Sequence, residues 1–231
     1  MTLTPTRLSP LCTATRHLGA KMAEIGGWTF AKSYAAVEAE VAAARQRVAL
    51  ADTSAHGKLQ VEGTDALEIV RAAFGNAPEA IGASVKVDGG HVYRLRPDQF
   101  FVVTHVGRED ELQARLERAV ADLKGFVTVT DLSQGLAEIR ILGPRARDVL
   151  SRVSALDFSD AAFPNLTAKS TRLAKTRQLI IRRDFGSLPA FTFAGAQSLS
   201  AYVWEVVMEA GREFGIAPIG VASMRELEEA G

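Results

Sequence analysis

Apolar positions in the first half of the chain predict a hairpin followed by a helix. Two short apolar runs, Val92 to Leu95 and Phe100 to Val103, flank the turn residues Pro97 and Asp98, which is typical of a β-hairpin. From about Glu109 to Leu123 the apolar residues recur every three or four positions and the other positions are charged, which predicts an amphipathic helix.

The second half repeats this order. Apolar runs at Leu179 to Ile181 and Phe191 to Phe193 flank Gly186 and Pro189, and a helical stripe follows from Leu199 to Ala210. With a strand and a helix placed before each hairpin, each half consists of strand, helix, strand, strand, helix. This order predicts an α+β fold built from two similar lobes.

Residue identities support a duplication. Segment 50–70 can be laid over segment 129–150 with one residue inserted in the second copy. The matched pairs are Asp52 with Asp131, Ser54 with Ser133, and Gly63 with Gly143. A glycine between a strand and a helix is common in proteins and is weak evidence by itself. The agreement in the order of elements favours a true repeat.

The repeat sets the expected domain organisation. We expect lobe 1 at about 50–128 and lobe 2 at about 129–221, with an N-terminal segment 1–49 packed on them. The helix predicted from about Ala35 to Val48 in that segment would cover the sheet of one half. Two such lobes are expected to pack as a pseudo-symmetric pair, with a ligand cleft between them.

Composition narrows the classes of function. Lys plus Arg (27) balance Asp plus Glu (27), and no run of five like charges occurs, so we expect no nucleic-acid partner. No apolar run approaches the roughly 18 residues of a membrane span. The single cysteine, Cys12, allows no internal disulfide. These features favour a cytoplasmic protein with a small-molecule ligand or a protein partner.

Few residues offer chemistry. The dinucleotide, Walker A, zinc-protease and nucleophile-elbow motifs are absent, and the four histidines form no metal pattern. Asp52, Ser54 and His56 alternate, but a relay needs the histidine between the other two, so we interpret Asp52 and Ser54 as turn residues that bond the backbone. His56 has no counterpart in the second copy, which makes it the ligand candidate.

Other aromatic and histidine residues have plainer interpretations. His91, Tyr93 and His105 lie in or beside the first predicted hairpin, where alternate positions face either the core or a cleft, and a histidine there is more often a surface residue. Trp28 and Trp204 are interpreted as core residues.

Both ends of the chain carry short motifs in a specific order. The N-terminal stretch carries Gly19-Ala20-Lys21, Gly27-Trp28, Tyr34 and then Asp52-Thr53-Ser54-Ala55-His56-Gly57-Lys58. The C-terminal stretch carries Gly215-Ile216-Ala217-Pro218-Ile219-Gly220 and Glu229-Ala230-Gly231. In order and spacing these motifs resemble the glycine-cleavage T-protein (aminomethyltransferase) family. The resemblance covers nearly the whole chain, so we expect residues 1–231 to form one module of this type.

This resemblance implies the aminomethyltransferase-type folate-binding fold in a shortened form, with the C-terminal barrel absent. The family transfers a one-carbon unit from an aminomethyl or N-methyl donor to tetrahydrofolate. The positions at or beside its folate contacts are His56, Val92, Thr104 and Arg225. No metal is implied.

Two departures bear on activity. The family's Asp-Asp pair, which supplies the catalytic aspartate, is missing from the segment Asp88 to Arg94, and Asp88 is a weak substitute because it precedes the glycine pair. The glutamate that anchors the pterin is missing from the segment Asp184 to Pro189. In brevity the chain is similar to the gamma subunit of heterotetrameric sarcosine oxidase.

Three hypotheses follow. The chain is a tetrahydrofolate-binding protein of one-carbon metabolism with reduced or absent aminomethyl transfer, or a non-catalytic subunit that holds a partner and keeps a vestigial folate pocket, or an unrelated enzyme that uses the same cleft. The expected partners are a reduced folate and a protein of a one-carbon or amine-oxidising complex.

Overall fold

A computed structural model describes residues 7–230, and these residues form seven α-helices and three β-sheets. The helices are α1 (Cys12–His17), α2 (Val37–Gln46), α3 (Ala66–Phe74), α4 (Glu109–Leu123), α5 (Ala146–Val153), α6 (Ser200–Ala210) and α7 (Val221–Glu229). The strands are β1 (Arg7–Leu8), β2 (Lys21–Ile25), β3 (Trp28–Ser33), β4 (Ala49–Asp52), β5 (Gly57–Gly63), β6 (Ser84–Val87), β7 (Gly90–Arg96), β8 (Gln99–Thr104), β9 (Val127–Asp131), β10 (Leu136–Leu142), β11 (Thr167–Leu173), β12 (Thr176–Arg182), β13 (Ala190–Ala196) and β14 (Ala217–Ile219).

The chain divides into two compact units. Unit 1 comprises Met1–Ala55, Ala137–Asn165 and Ser170–Gly231, and unit 2 comprises His56–Leu136 and Leu166–Lys169. The first six residues and Gly231, the last residue of the C-terminal family motif, lie outside the described part of the chain.

Unit 2 is a sheet with helices on one face. The strand order is β6-β7-β8-β5-β9, and every neighbouring pair is antiparallel. Alternate residues of β5, Leu59 and Val61, point to the same side and pack against α3 and α4. On α4 the buried residues include Leu112 and Leu116, one turn apart, as the helical spacing predicts. The predicted hairpin and helix are confirmed as β7, β8 and α4.

Unit 1 contains the six-stranded sheet β11-β12-β13-β10-β4-β14 and the small sheet β1-β3-β2. One face of the larger sheet packs against α5 and α6 around Ile139, Phe191 and Trp204. Val41 and Ala44 of α2 pack with residues of β4 and β10, so the N-terminal helix covers this sheet as expected. Trp28 and Trp204 are buried, which confirms their interpretation as core residues.

The repeat is visible in the order of elements. β5-α3-β6-β7-β8-α4 in the first half corresponds to β10-α5-β11-β12-β13-α6 in the second. Each half has one strand more than expected, β6 or β11, because neither of these strands contains an apolar run. The mixed helix and sheet fold is therefore as expected, with an additional strand in each copy.

The strand that precedes each copy joins the sheet of the other copy. β4 pairs with β10, and β9 pairs with β5. The compact units consequently differ from the lobes expected at about 50–128 and 129–221. Sequence periodicity identifies a strand but not its partner, since pairing depends on contacts distant in the chain.

Gly63 and Gly143 occupy equivalent turns. Each follows or ends a strand and lies three residues before a helix, and each has a positive φ, 153° and 122° respectively. A methyl group on Gly143 would lie 2.6 Å from the carbonyl oxygens of Ala44 and Arg47. Both the backbone conformation and the available space therefore require glycine here.

Candidate functional site

The turn that follows β4 is held by the two residues matched in the repeat. The backbone N–H of Ser54 donates to Asp52 Oδ1 at 3.1 Å, and the N–H of Glu138 donates to Ser54 Oγ at 3.0 Å. The N–H of Thr53 donates to the carbonyl oxygen of Glu138 at 2.9 Å. The Asp52 and Ser54 side chains thus hold the backbone, which confirms the turn interpretation.

The turn that follows β9 has the same bonds. The N–H of Ser133 donates to Asp131 Oδ1 at 2.8 Å, and the N–H of Lys58 donates to Ser133 Oγ at 2.9 Å. The N–H of Leu132 donates to the carbonyl oxygen of Lys58 at 2.8 Å. Lys58 therefore occupies in unit 2 the position that Glu138 occupies in unit 1.

These two equivalent residues are fully buried and opposite in chemical type. Lys58 and Glu138 are each 0% exposed. Lys58 Nζ donates to the carbonyl oxygen of His56 at 2.7 Å, and Glu138 Oε1 accepts a hydrogen bond from Thr53 Oγ1 at 2.8 Å. Burying a basic or acidic side chain costs free energy unless the side chain is hydrogen-bonded. We infer that Lys58 and Glu138 have a role beyond packing.

Lys58 belongs to a row of side chains on the face of the unit 2 sheet opposite α3 and α4, which we call the second face. Its neighbour across β8 is Val103, and the neighbour of Val103 on β7 is His91. His91 and Val103 are half-buried, so this end of the second face is accessible. Tyr93 lies one pleat further along β7 and stacks on His91 with ring centroids 6.4 Å apart. Sequence analysis placed His91 and Tyr93 in this hairpin and favoured a surface position for the histidine, and strand alternation puts the two side chains on the same face.

Acidic groups are scarce on this face. Among the second-face positions of β5, β7 and β8 the one carboxylate is Glu62, which is bonded to Arg96 and accepts a hydrogen bond from Gln60 Nε2 at 2.8 Å. The row of Lys58 and His91 is therefore basic.

The four residues expected around folate lie in different environments. His56 is half-buried and directly precedes β5, where its carbonyl oxygen meets Lys58 Nζ. Val92 is a core residue packed against the helices. Thr104 is buried on the same face as Val92, and its hydroxyl donates to the carbonyl oxygen of His105 at 2.8 Å. Register brings His91, rather than Val92, to the second face.

Arg225 lies on α7 in unit 1. Its side chain is 80% exposed, and its Nε donates to Glu229 Oε1 at 2.8 Å, one turn further along the same helix. The hydrogen bond with Glu229 raises the pKa of Arg225. A joint role of His56, Val92, Thr104 and Arg225 in ligand binding stays a prediction.

Asp88, the weak catalytic candidate, lies in the turn between β6 and β7. Its side chain is 75% exposed, and its Oδ2 accepts a hydrogen bond from Arg108 Nη2 at 3.1 Å. Arg115 Nη1 lies 4.0 Å from the same oxygen. Two guanidinium groups near the surface thus hold this carboxylate.

The segment that replaces the pterin-anchoring stretch is held by arginines. Asp184 accepts from Arg182 Nη2 at 2.6 Å. The guanidinium groups of Arg140 and Arg183 lie 5.3 and 5.5 Å from the Phe185 ring centroid, and both donate to Glu228 Oε1. The sole carboxylate of the segment is therefore used internally.

Tyr34 is a half-buried residue near Asp52 and Glu40 in unit 1. Its hydroxyl oxygen is buried and has no hydrogen-bond partner among residues 7–230. Burial, followed by the negative charges of Asp52 and Glu40, raises its pKa far above the ordinary value. The Tyr34 hydroxyl is therefore neutral at physiological pH.

Neither a metal cluster nor a membrane helix is found in the described part of the chain. Across positions 7–230 no three His, Cys, Asp or Glu side chains are placed to hold a metal ion. No helix within these residues is long and apolar enough to span a bilayer.

Comparison with known proteins identifies relatives. The family model described as the GCVT N-terminal domain matches residues 11–229. The sarcosine oxidase subunit alpha of Corynebacterium sp. strain P-1 is 31% identical over 251 aligned residues, covering 97% of this chain and 26% of that protein. The aminomethyltransferase of Herpetosiphon aurantiacus is 30% identical and is matched over 95% of this chain and 62% of its own length.

Solved structures share the fold. The glycine cleavage system aminomethyltransferase T from Bartonella henselae has a TM-score of 0.80 at 22% identity, covering 96% of this chain and 62% of that one. A heterotetrameric sarcosine oxidase from Corynebacterium sp. U-96 has a TM-score of 0.66 at 24% identity, covering 78% of this chain and 93% of the matched chain. The present chain spans about a quarter to two thirds of the curated relatives.

Proposed function

Because this chain belongs to the GCVT N-terminal domain family, we propose that it is an aminomethyltransferase-like protein that binds tetrahydrofolate. Its aminomethyl transfer activity is reduced or absent. The proposed setting is one-carbon metabolism in the cytoplasm. The reduced folate contacts His56 and the accessible end of the second face at His91, while Val92 and Thr104 fix the strands that carry these groups.

The basic row on the second face is the observation that carries this proposal. Transfer of an aminomethyl group passes through a developing cation, which a nearby carboxylate stabilises and a basic group does not. At the accessible end of the second face the half-buried side chains are Val103 and His91, Lys58 is buried beside them, and Glu62 is engaged with Arg96. These groups favour an acceptor such as a carbonyl or carboxylate oxygen of the ligand over a cation.

The position of Asp88 supports the same conclusion. To act on a ligand at the second face, Asp88 would have to leave Arg108 and Arg115 and cross to the other side of its strand turn. Losing positioned electrostatics commonly costs about 10²-fold or more in rate.

The residues present fit folate binding better than folate chemistry. His56 and His91 are half-buried and provide hydrogen-bonding groups near the accessible end of the second face, next to the buried rings of Tyr93 and Phe101. When bound, tetrahydrofolate would supply the nitrogen that accepts the one-carbon unit. Arg225 would have to release Glu229 before it could bind a ligand carboxylate.

A second candidate function is that of a non-catalytic subunit that binds a partner in a one-carbon or amine-oxidising complex. The relatives include sarcosine oxidase subunits, and a heterotetrameric sarcosine oxidase shares the fold. Unit 2 also exposes large apolar side chains, Phe126 at 82%, Ile81 at 63% and Leu123 at 53%. Exposed apolar side chains mark a protein interaction site where they form one contiguous patch.

A reconstituted transfer assay tests the proposal. The full chain is supplied with a lipoyl-protein-bound aminomethyl donor and tetrahydrofolate, and wild type is compared with Asp88→Asn. We expect little or no turnover in either protein. Turnover like that of an ordinary aminomethyltransferase, abolished by Asp88→Asn, would show that Asp88 has taken over the catalytic role and that the site is active.

A further inference from the structure

The outer edge of β9 is open. In the five-stranded sheet of unit 2, β9 is the last strand and pairs with β5 along one of its edges. No backbone hydrogen bond joins the other edge of β9 to any element formed by residues 7–230. An edge strand presents a row of N–H and C=O groups with which another strand can pair. The sheet of unit 2 can therefore be extended at β9.

β9 lacks the features that usually prevent such pairing. Its sequence is Val127-Thr128-Val129-Thr130-Asp131, so it contains no lysine, arginine, proline or glycine, and its one charge is at the last position. Charged side chains and prolines discourage pairing at an edge, whereas valine and threonine favour strands. The other edge strands within residues 7–230 each contain such a discouraging residue, namely Arg7 in β1, Lys21 in β2, Lys86 in β6, Lys169 in β11 and Pro218 in β14.

The register with β5 shows which residues of β9 bond outward. The N–H of Leu132, which follows β9, donates to the carbonyl oxygen of Lys58 at 2.8 Å. In an antiparallel pair, successive residues direct their N–H and C=O groups to opposite edges of the strand. The even-numbered positions therefore bond β5, and the backbone groups of Val127, Val129 and Asp131 point away from it.

An exposed aromatic side chain lies at the beginning of this edge. Phe126 directly precedes β9 and is 82% exposed, the highest fraction among the large apolar residues of positions 7–230. Thr128 and Thr130, further along the strand, are also exposed. A strand that pairs with β9 and covers Phe126 would gain backbone hydrogen bonds and apolar burial together.

We propose that β9 pairs antiparallel with β9 of a second copy of this chain, which joins the two unit 2 sheets across a two-fold axis. With Val129 opposite Val129 of the second copy, Val127 comes opposite Asp131, so all the outward N–H and C=O groups of both strands are bonded. Thr128 comes opposite Thr130, which is a favourable cross-strand pair. The two Asp131 carboxylates lie at opposite ends of the paired strands, so no like charges meet.

The same register covers the exposed aromatic side chain. Phe126 of one copy comes opposite Leu132 of the second copy, which is a half-buried apolar residue. A shift of the register by two residues leaves outward backbone groups of β9 without partners. A second copy therefore fits this edge because β9 is complementary to itself. The proposal is independent of the proposed folate function, because none of these residues is a proposed folate contact.

Sedimentation equilibrium of the full chain measures the self-association. We expect a reversible dimer with a dissociation constant of about 10 to 100 µM, because one strand pair buries less than the roughly 1,600 Å² of a standard interface. A protein that stays monomeric up to about 1 mM would overturn the proposal.

Two double variants that differ at a single position test the register. Thr128→Lys/Thr130→Lys places like charges opposite each other twice across the interface and should weaken the dimer about tenfold. Thr128→Lys/Thr130→Glu places opposite charges at the same two points, so it should dimerise at least as tightly as wild type. Both threonines are exposed. Equal dissociation constants in the two variants would overturn the proposed pairing.

The contribution of Phe126 has its own matched control. Phe126→Gln should weaken the dimer about tenfold, since it removes an apolar contact from each end of the interface. Ile81→Gln should leave the dissociation constant unchanged, because Ile81 is 63% exposed but precedes β6 at the opposite edge of the sheet. Equal effects of the two substitutions would place the dimer contact elsewhere and overturn the proposal.

Amide hydrogen exchange tests the same interface without any substitution. In the wild-type protein the N–H groups of Val127, Val129 and Asp131 should exchange more slowly as the protein concentration rises through the dissociation constant. The N–H groups of β6, at the other edge of the sheet, should not change. A dimer that forms without slowing exchange at β9 would overturn the proposal, even if one of the variants failed to fold.

Discussion

The turn after β4 and the turn after β9 are held by the same residue types, an aspartate and a serine. The buried side chain beside each turn differs: it is Glu138 at one and Lys58 at the other. In each turn an aspartate accepts from the serine N–H, and the serine oxygen accepts from a backbone N–H on the strand that pairs with the one before the turn. The residue that supplies this N–H is Glu138 in one turn and Lys58 in the other. Both copies have kept the groups that fix the backbone, whereas the buried side chain beside them is acidic in one copy and basic in the other.

His56 extends this contrast. It directly precedes β5 and has no equivalent in the second copy, and its carbonyl oxygen holds the buried Lys58 amine. The first copy therefore contains a residue, His56, that has no structural equivalent in the second copy. This asymmetry places the proposed ligand contacts on unit 2.

The largest expected effect concerns a feature that both copies share. Gly143→Ala combines a positive φ with contact at 2.6 Å to two carbonyl oxygens, so we expect it to lower the free energy of unfolding by about 3 kcal/mol or more. Gly107→Ala is the matched control, because its φ is also positive, 79°, but no atom lies within 4 Å. It should cost only about 1 kcal/mol. Urea denaturation measures both, and equal losses would show that crowding at Gly143 is unimportant.

Much of the fold was predictable because its signals are local. The spacing of apolar residues placed α4 at Glu109–Leu123, and the turn residues between two apolar runs identified β7 and β8. Strands β6 and β11 were missed because they contain no apolar run. The pairing of β4 with β10 and of β9 with β5 was missed because strand pairing depends on contacts distant in the chain.

The candidate site was less predictable than the fold. His56 was proposed from its lack of a counterpart in the repeat, which is a signal within the sequence itself, and its role in binding stays a prediction. The burial of Lys58 and the second-face position of His91 depend on register and packing, which single-sequence periodicity does not determine. Val92 was placed by resemblance, and its side chain belongs to the core.

Serine substitutions in the two turns sharpen the comparison. Ser54→Ala and Ser133→Ala each leave a backbone N–H without its acceptor, so each should lower the free energy of unfolding by about 1 to 3 kcal/mol. The two losses should agree within about 0.5 kcal/mol if the turns are structurally equivalent.

Ser151→Ala is the control for these substitutions. Its exposed hydroxyl bonds the Asp148 carbonyl within the same helix, so its loss should change stability by less than about 0.5 kcal/mol. A large effect in one turn with none in the other, measured by urea denaturation, would contradict the equivalence.

Ligand binding should distinguish the copies. His56→Ala should weaken tetrahydrofolate about fivefold, since it removes one hydrogen-bonding group at the proposed site. His17→Ala, an exposed histidine on α1 in unit 1, serves as the control and should leave the dissociation constant unchanged. Calorimetry measures both, and an unchanged constant in His56→Ala would remove His56 from the site.

The smallest expected effect is electrostatic and lies outside the repeated turns. Hydrogen bonds from Arg182 and then Arg147 lower the pKa of Asp160, so its ionised form favours the folded state at pH values above the ordinary pKa of an aspartate. Asp160→Asn should therefore destabilise the protein slightly at pH 7. The difference from wild type should vanish as the pH falls through the lowered pKa. A difference in thermal stability that grows on acidification would contradict this assignment.

The most direct test of the account is a calorimetric titration of the full chain with 5-formyltetrahydrofolate, a stable reduced folate. We predict saturable one-to-one binding that is weaker in His56→Ala. Absence of saturable heat, with the protein folded and the folate at its highest soluble concentration, would contradict the claim that this chain retains a folate site.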